Sequence, residues 1–290
     1  MNFFGIRRKE RKEDLLEDDI PKRGFFVFLD VYFSRFFKFM GINCLMLAAN
    51  IFYIAFLFYI SPLNAESVSG LGNIVFETPA LRVHFDMFLR VIFALFIVLF
   101  WGSGPISAGV AYIFRCFAAR EHSWILSDFK DKLAENAKQG FVLLLADIFI
   151  IIVFPIVFRF YYQSYVSSGA AFNLVIIGVL SVFLIFYTFM HYFMYQMMVR
   201  FECKIKEIYK NALILTVMKF PVLIIVSIIA LAFFIIPIYT LELYSFLLFG
   251  LVLMSLIRFI LEFYASRVIE DVIEPEEGKE KIIDTDRKWH

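Results

Sequence analysis

The chain has 290 residues, of which 61% are hydrophobic and only 19% are charged, with a formal net charge of +1. Soluble globular domains carry about 45–50% apolar residues, so this composition excludes an ordinary soluble domain. The net charge says little by itself, and we expect no nucleic-acid partner.

The N-terminal segment, residues 1–24, is predicted to be a charged cytoplasmic arm. It does not resemble a cleavable signal peptide, because mostly charged residues precede the first apolar run. Residues 25–39 then mix aromatic side chains with Asp30, Arg35 and Lys38. That pattern suits an amphipathic helix in the membrane interface, and it equally suits a first spanning helix that begins in the cytoplasm.

Six apolar stretches follow within residues 25–265 and alternate with charged segments. A run of about 18 apolar residues can cross a hydrocarbon core roughly 30 Å thick, and in lipid such a run must be helical. We therefore predict an all-α, polytopic membrane helical bundle that ends in a cytoplasmic tail at 266–290. The predicted spans are 39–60, 90–114, 141–161, 172–199, 211–236 and 239–263.

Positive charges are distributed unevenly between the two sides of this predicted bundle. With the N-terminus inside, residues 1–38, the connector at 115–140, the connector region at 200–219 and the chain end from residue 258 account for all but three of the 28 Lys and Arg. The exceptions are Arg82, Arg90 and Arg159. Because Lys and Arg mark cytoplasmic loops, the sequence predicts cytoplasmic N- and C-termini and cytoplasmic connector helices.

Residues that carry catalytic or metal chemistry do not form a recognisable motif in this chain. The sequence has no H-E-x-x-H, no G-x-x-x-x-G-K-[ST] and no G-x-S-x-G. Its three cysteines are scattered and are interpreted as structural. We therefore predict no enzymatic activity, no cofactor and no metal site. The cysteines are Cys44, Cys116 and Cys203, and the histidines are His84, His122, His191 and His290.

Polar residues inside predicted spans are expensive to bury and are therefore functional candidates. Asp147 and His191 lie at comparable depths from the cytoplasmic ends of their spans, so a pair between them is geometrically feasible. Such a pair is either a proton relay or one structural interhelical contact, and the structural interpretation is favoured. Asn50 is a third candidate within the first span.

The segment Gly102-Ser-Gly-Pro105 interrupts the second predicted span. Proline removes a helical hydrogen bond, and the glycines give the backbone freedom just before it. The interruption is either a broken helix that lines a substrate path or a kink that allows close helix packing, and packing is favoured.

The first cytoplasmic connector reads as a helix over residues 123–138, with Ser123 or Ser127 as the N-cap. Its apolar residues recur at three- and four-residue steps, which predicts one apolar face. That face rests on the bundle, on the membrane or on a partner protein. The apolar residues are Trp124, Phe129, Leu133 and Ala137.

Several short motifs resemble the YesL family of bacterial integral membrane proteins, over about residues 22–265. They begin with Lys22-Arg-Gly-Phe-Phe, Arg35-Phe-Phe-Lys and Asn43, and continue with 104–115, Arg120-Glu121 and 128–139. A second signature comprises Arg200-Phe-Glu, 205–213 and Pro221. The chain departs mildly from the family pattern at Ile106-Ser107 and at Ala119-Arg-Glu.

The resemblance implies a location in the bacterial plasma membrane and a non-enzymatic accessory or regulatory subunit of a carbohydrate ABC import system. Family members have no settled activity, and they are often encoded beside such importers. An autonomous secondary transporter of a small solute is the alternative. Candidate residues for binding permease subunits lie at the kink and in the two connectors. They are Gly104, Pro105, Trp124, Phe129, Lys132, Asn136, Arg200, Glu202, Lys206 and Asn211.

Overall fold

The structure is a computed structural model that describes residues 7–8, 24–61, 79–240 and 249–273, with side chains for residues 24–61, 86–235 and 249–273. These ranges are almost entirely helical, which confirms the predicted all-α class. The two short strands are β1 (Arg7–Arg8) and β2 (Phe201–Glu202). The helices are α1 (Phe25–Ser34), α2 (Phe36–Ile60), α3 (Pro79–Phe100), α4 (Pro105–Ala118), α5 (Ile125–Glu135), α6 (Ala137–Ser168), α7 (Ala171–Arg200), α8 (Ile205–Thr240) and α9 (Met254–Ile273).

Five helical segments in the described part of the chain are long and apolar enough to cross a membrane. They are α2, α6, α7, α8 and the segment formed by α9 with the π-helical turn Phe249–Leu253 that precedes it. A sixth span results if α3 and α4, which meet at a bend of 55°, are counted as one broken span. These helices fit a multi-pass membrane protein in a lipid bilayer.

The last helix extends past the predicted end of the transmembrane domain. The last helix continues to Ile273, so the predicted boundary at 265–266 falls inside α9. Beyond that boundary, the Arg267 guanidinium donates to the Ala118 carbonyl of α4, and the Glu270 carboxylate pairs with Arg200 of α7. The predicted turn between the last two spans, at residues 237–238, is not formed, because α8 continues as a helix to Thr240. The arm at residues 1–6 and 9–23, residues 241–248 and the tail beyond 273 lie outside the described residues.

The residues before the first span form the separate helix α1, and Arg35 separates α1 from α2. The Arg35 guanidinium donates to the Glu121 carbonyl at 3.0 Å, and the Arg120 guanidinium pairs with the Asp30 carboxylate at 2.7 Å. Both contacts join this junction to the end of α4. One face of α1 is buried on the bundle, while an opposite aromatic face stays exposed, as in an interfacial helix.

Helix α4 lies at the centre of the bundle and packs against α5, α6, α7 and α9. Nearly every residue from Ser107 to Ala118 is buried. The C-terminal half of α7 is buried in the same core, continuously from Tyr187 apart from one residue, Thr188. The N-terminal half of α7 and the outer side of α6 carry many exposed apolar side chains, as expected for surfaces that face lipid.

Residues 7–8 of the N-terminal arm, both connectors and the end of α9 meet at one end of the bundle. Strand β1 pairs antiparallel with β2, which follows α7. The Gln139 side chain at the start of α6 donates to the Cys203 carbonyl at 2.7 Å. The Arg267 guanidinium of α9 donates to the Ala118 carbonyl at the end of α4, at 3.2 Å. The basic segments that the sequence assigns to one side are therefore together in space.

Candidate functional site

The break between α3 and α4 is buried, and its freed backbone groups are hydrogen-bonded to side chains. Arg258 on α9 donates from Nη1 to the Leu99 carbonyl at 2.9 Å, which caps the end of α3. The Gly104 amide donates to the Tyr195 hydroxyl at 3.1 Å, and the Ser103 amide donates to the hydroxyl of Ser107 at 2.8 Å. An interrupted helix is tolerated within a membrane only with such compensation.

Close packing explains the glycine at the end of this break. Gly104 has a φ of +64°, and a Cβ at this position would lie 2.7 Å from the Gly140 carbonyl oxygen on α6. A Cβ at Gly140 would in turn lie 2.6 Å from the Pro105 nitrogen. The two backbones therefore touch, which supports the packing interpretation of this segment. Gly104 is buried there and Pro105 is half-buried, so neither forms an open partner surface.

The structure brings Asp147 on α6 and His191 on α7 together in the bundle interior. His191 Nε2 lies 3.0 Å from Asp147 Oδ1, and both side chains are fully buried. The Tyr187 hydroxyl donates to the same carboxylate oxygen at 2.6 Å. The Trp101 ring, at the start of the break, stacks on the imidazole with 5.6 Å between centroids. The interhelical pair that the sequence suggested is thus formed.

The bonding of this pair is incomplete among the described residues. The 3.0 Å contact is not aligned as a hydrogen bond, and Asp147 Oδ2 and His191 Nδ1 have no hydrogen-bond partner. The arrangement can hold a proton or couple α6 to α7.

Asn50 does not join this pair through any hydrogen bond in the described structure. Its Nδ2 donates to the Met46 carbonyl of its own helix at 2.8 Å. Its side-chain oxygen is buried and has no hydrogen-bond partner there. The side chain therefore packs within α2 rather than extending the Asp147–His191 site.

A second buried polar cluster joins α7 to α9. The Arg258 guanidinium lies 2.7 Å from a Glu262 carboxylate oxygen, and Gln196 donates to the other oxygen at 2.7 Å. Arg200 donates to the Gln196 side-chain oxygen at 3.3 Å and also contacts Ser266. Sequence reasoning missed Arg258 and Glu262 as a site. Their i, i+4 spacing within an otherwise apolar run was the available signal.

The connector helix α5 has one buried anchor and an exposed N-terminus. Phe129 packs so closely on Gly109 of α4 that a Cβ there would lie 2.7 Å from its ring. Trp124 and Leu126 are 73% and 62% exposed. The helix starts after Trp124, and neither predicted N-cap serine caps it. Instead the Asp128 carboxylate accepts from the Trp124 amide at 2.8 Å, which stabilises the first turn.

The remaining connector candidates divide between buried and exposed positions. Asn136 is buried and donates to the Lys132 carbonyl at 2.8 Å, at the junction of α5 and α6. Asn211 is buried on α8, and its Nδ2 has no hydrogen-bond partner among the described residues. Glu202 and Lys206 are exposed. Arg200 belongs to the buried cluster, so the candidates do not form one surface.

A cavity of about 630 Å³ lies among α3, α6, α7 and α8. Its wall is almost entirely apolar, and Trp101 separates it from His191. Within the described ranges no group of three or more His, Cys, Asp or Glu is arranged to hold a metal ion. No protein-family model, curated protein or solved structure matched this chain.

Proposed function

We propose that this protein is a non-enzymatic accessory or regulatory subunit of a bacterial carbohydrate ABC import system. The partner class comes from the resemblance to the YesL family. In this proposal the chain crosses the plasma membrane six times and keeps both termini in the cytoplasm. The observation that carries the proposal is the connector α5, which Phe129 anchors on α4 and which presents an exposed Trp124.

The geometry of α5 supports a protein-binding role. Its Phe129 anchor fixes the helix on α4, so the exposed Trp124 and Leu126 are held on a rigid element. Interfaces are enriched in tryptophan, and rigid presentation lowers the entropic cost of binding. His122 packs against the Trp124 ring with 4.9 Å between centroids, which further restrains the indole.

The Asp147–His191 pair and the apolar cavity give less support to a carrier of a small solute. A carrier of a small solute is expected to have a polar cavity that opens to one side. Here the Asp147–His191 pair is fully buried, and the described cavity beside it is lined by apolar side chains. The interior therefore favours a binding subunit over a transport path.

A pull-down comparison tests the proposed partner. The tagged protein is purified in mild detergent from its native cells, and the co-purifying proteins are identified and quantified. We expect stoichiometric permease subunits of a sugar importer with the wild type. The Trp124→Ala/Leu126→Ala variant should lose them by at least about tenfold, because truncating an exposed aromatic anchor costs about 2 kcal/mol of binding free energy.

Phe172→Ala is the matched control for this comparison. Phe172 is as exposed as Trp124 but lies at the opposite end of the bundle, at the start of α7. This variant should retain the wild-type yield of permease subunits. Purification of the wild type without any permease subunit would overturn the proposal of a stable complex.

The proposed topology is supported by the meeting of the arm, both connectors and the end of α9 at one end of the bundle. We expect a periplasm-dependent phosphatase reporter to be active when fused at Gly169, in the turn between α6 and α7. A fluorescent protein fused at the C-terminus should fluoresce, since it folds in the cytoplasm. The reverse pattern would contradict cytoplasmic termini.

A secondary transporter is the second candidate, and the incompletely bonded Asp147–His191 pair is the observation that favours it. One buried proton site between two spanning helices is a minimal element of proton coupling. If the protein is such a carrier, the purified protein should take up a small solute into vesicles in a proton-coupled manner. The Asp147→Asn variant should lose this uptake. Import that requires the permease subunits and is unaffected by this change would exclude the transporter.

A further inference from the structure

The cavity among α3, α6, α7 and α8 has the chemistry of a hydrocarbon environment. Its wall combines aromatic and aliphatic side chains from all four helices, such as Phe100, Ile151, Phe189 and Leu231. Its volume of about 630 Å³ is in the range of small-molecule sites, which hold roughly 300–1,000 Å³. The side chains thus define a site for a molecule rather than a packing defect.

The few polar atoms in the wall are already hydrogen-bonded to the protein. Trp101 Nε1 donates to the Thr188 hydroxyl at 2.9 Å, and that hydroxyl donates to the Leu184 carbonyl at 2.9 Å. The hydroxyls of Tyr192 and Ser227 bond to each other at 3.0 Å. A buried water needs two to four polar partners, so this wall offers water almost nothing. An apolar occupant is favoured.

The rim of the cavity lies at the depth of the bilayer interior. Ile185, Ile224 and Ile228 line the cavity, and Ile228 is 60% exposed on the outer surface. Ile185 lies near the midpoint of α7, far from both helix ends. The medium at that depth is lipid hydrocarbon, and it reaches the cavity without crossing a polar layer.

We propose that this cavity binds one hydrocarbon chain of a membrane lipid, which enters sideways between α7 and α8. The chain fills the apolar volume against Trp101, on whose other side the Asp147–His191 pair lies. Lipid binding is independent of the accessory-subunit role, because no residue of the connector α5 lines this cavity. The ligand class is therefore an acyl or isoprenoid chain.

A photolabelling experiment tests the lipid site. The purified protein is reconstituted in vesicles of phosphatidylethanolamine and phosphatidylglycerol that contain a trace of phosphatidylcholine with a diazirine in one acyl chain. After irradiation, labelled residues are mapped by mass spectrometry. We expect labels on inner wall residues such as Phe100 and Tyr192, in addition to the lipid-facing side chains of α6 and α7.

Two cavity-filling variants provide the contrast. Ile151→Trp on α6 and Leu231→Trp on α8 should each reduce inner-wall labelling, and the double variant should reduce it by about tenfold, because two added indole rings from facing helices obstruct the space that the chain needs. Ile152→Trp is the matched control, since Ile152 is 44% exposed and does not line the cavity. Unchanged labelling of the exposed outer faces in all variants verifies that each one is folded.

Three outcomes would overturn the lipid site. The first is wild-type protein that is labelled on its outer faces but not on the inner wall. Such a result would mean that water or a second copy of the protein occupies the cavity. The second is inner-wall labelling that persists at the wild-type level in the double variant Ile151→Trp/Leu231→Trp. The third is modification of an Ile151→Cys variant by a membrane-impermeant thiol reagent as fast as an exposed cysteine, which would identify an aqueous cavity.

Discussion

Replacing Arg258 by leucine is expected to lower the free energy of unfolding by about 3–5 kcal/mol. The change leaves the buried Glu262 carboxylate without its cation and removes the hydrogen bond to the Leu99 carbonyl at the end of α3. Both losses act on the same buried junction, so α9 and the broken span are destabilised together. Unfolding in mixed detergent micelles, followed by tryptophan fluorescence, measures the effect.

Two further variants separate the lost pair from a general effect of removing an arginine. Arg159→Leu changes an exposed arginine on α6 and should alter the stability by less than about 0.5 kcal/mol. The double change Arg258→Leu/Glu262→Leu should recover a part of the loss, because no unpaired charge remains. If Arg258→Leu unfolds at the same detergent composition as Arg159→Leu, the cluster does not hold the bundle together.

The two members of the Asp147–His191 pair are expected to differ in their response to substitution. His191→Leu leaves a buried carboxylate with only the Tyr187 hydroxyl, and should cost about 3 kcal/mol. Asp147→Asn keeps an oxygen acceptor for the Tyr187 hydroxyl and leaves no buried carboxylate, and should cost about 1 kcal/mol. The same micelle unfolding assay gives both values.

Asp131→Asn is the control for the Asp147 substitution, because Asp131 is exposed on the connector α5. Its stability should equal that of the wild type within about 0.5 kcal/mol. Equal losses of stability in His191→Leu and Asp147→Asn would show that leaving the Asp147 carboxylate without His191 carries no additional cost. A complete loss of solute uptake by reconstituted Asp147→Asn, with stability retained, would instead favour the transporter.

The proposed partner surface and the proposed lipid site lie at different places on the bundle. The connector α5 is fixed at the end where the basic segments meet, whereas the cavity rim lies near the middle of α7. A partner bound at Trp124 therefore does not cover the rim. The two sites can be tested separately, and failure of one leaves the other unaffected.

The sequence by itself determined the helical spans in which local hydrophobicity is decisive. The predicted spans 39–60 and 172–199 lie within α2 and α7 and miss their bounds by at most three residues. The predicted spans 141–161 and 211–236 are also contained in α6 and α8. Hydrocarbon imposes one rule on every such segment, so a run of apolar residues is sufficient information.

Only the tertiary structure decided which side chains meet. Arg258 bonds to Leu99, and Asn43 on α2 donates to the Leu251 carbonyl at 2.6 Å, where the π-helical turn disturbs the backbone. These partners are separated by 159 and 208 residues along the chain. The continuation of α9 and the cavity beside Trp101 depend on contacts of this type. Hydropathy describes the transfer of one segment into lipid, whereas these features depend on the geometry between segments.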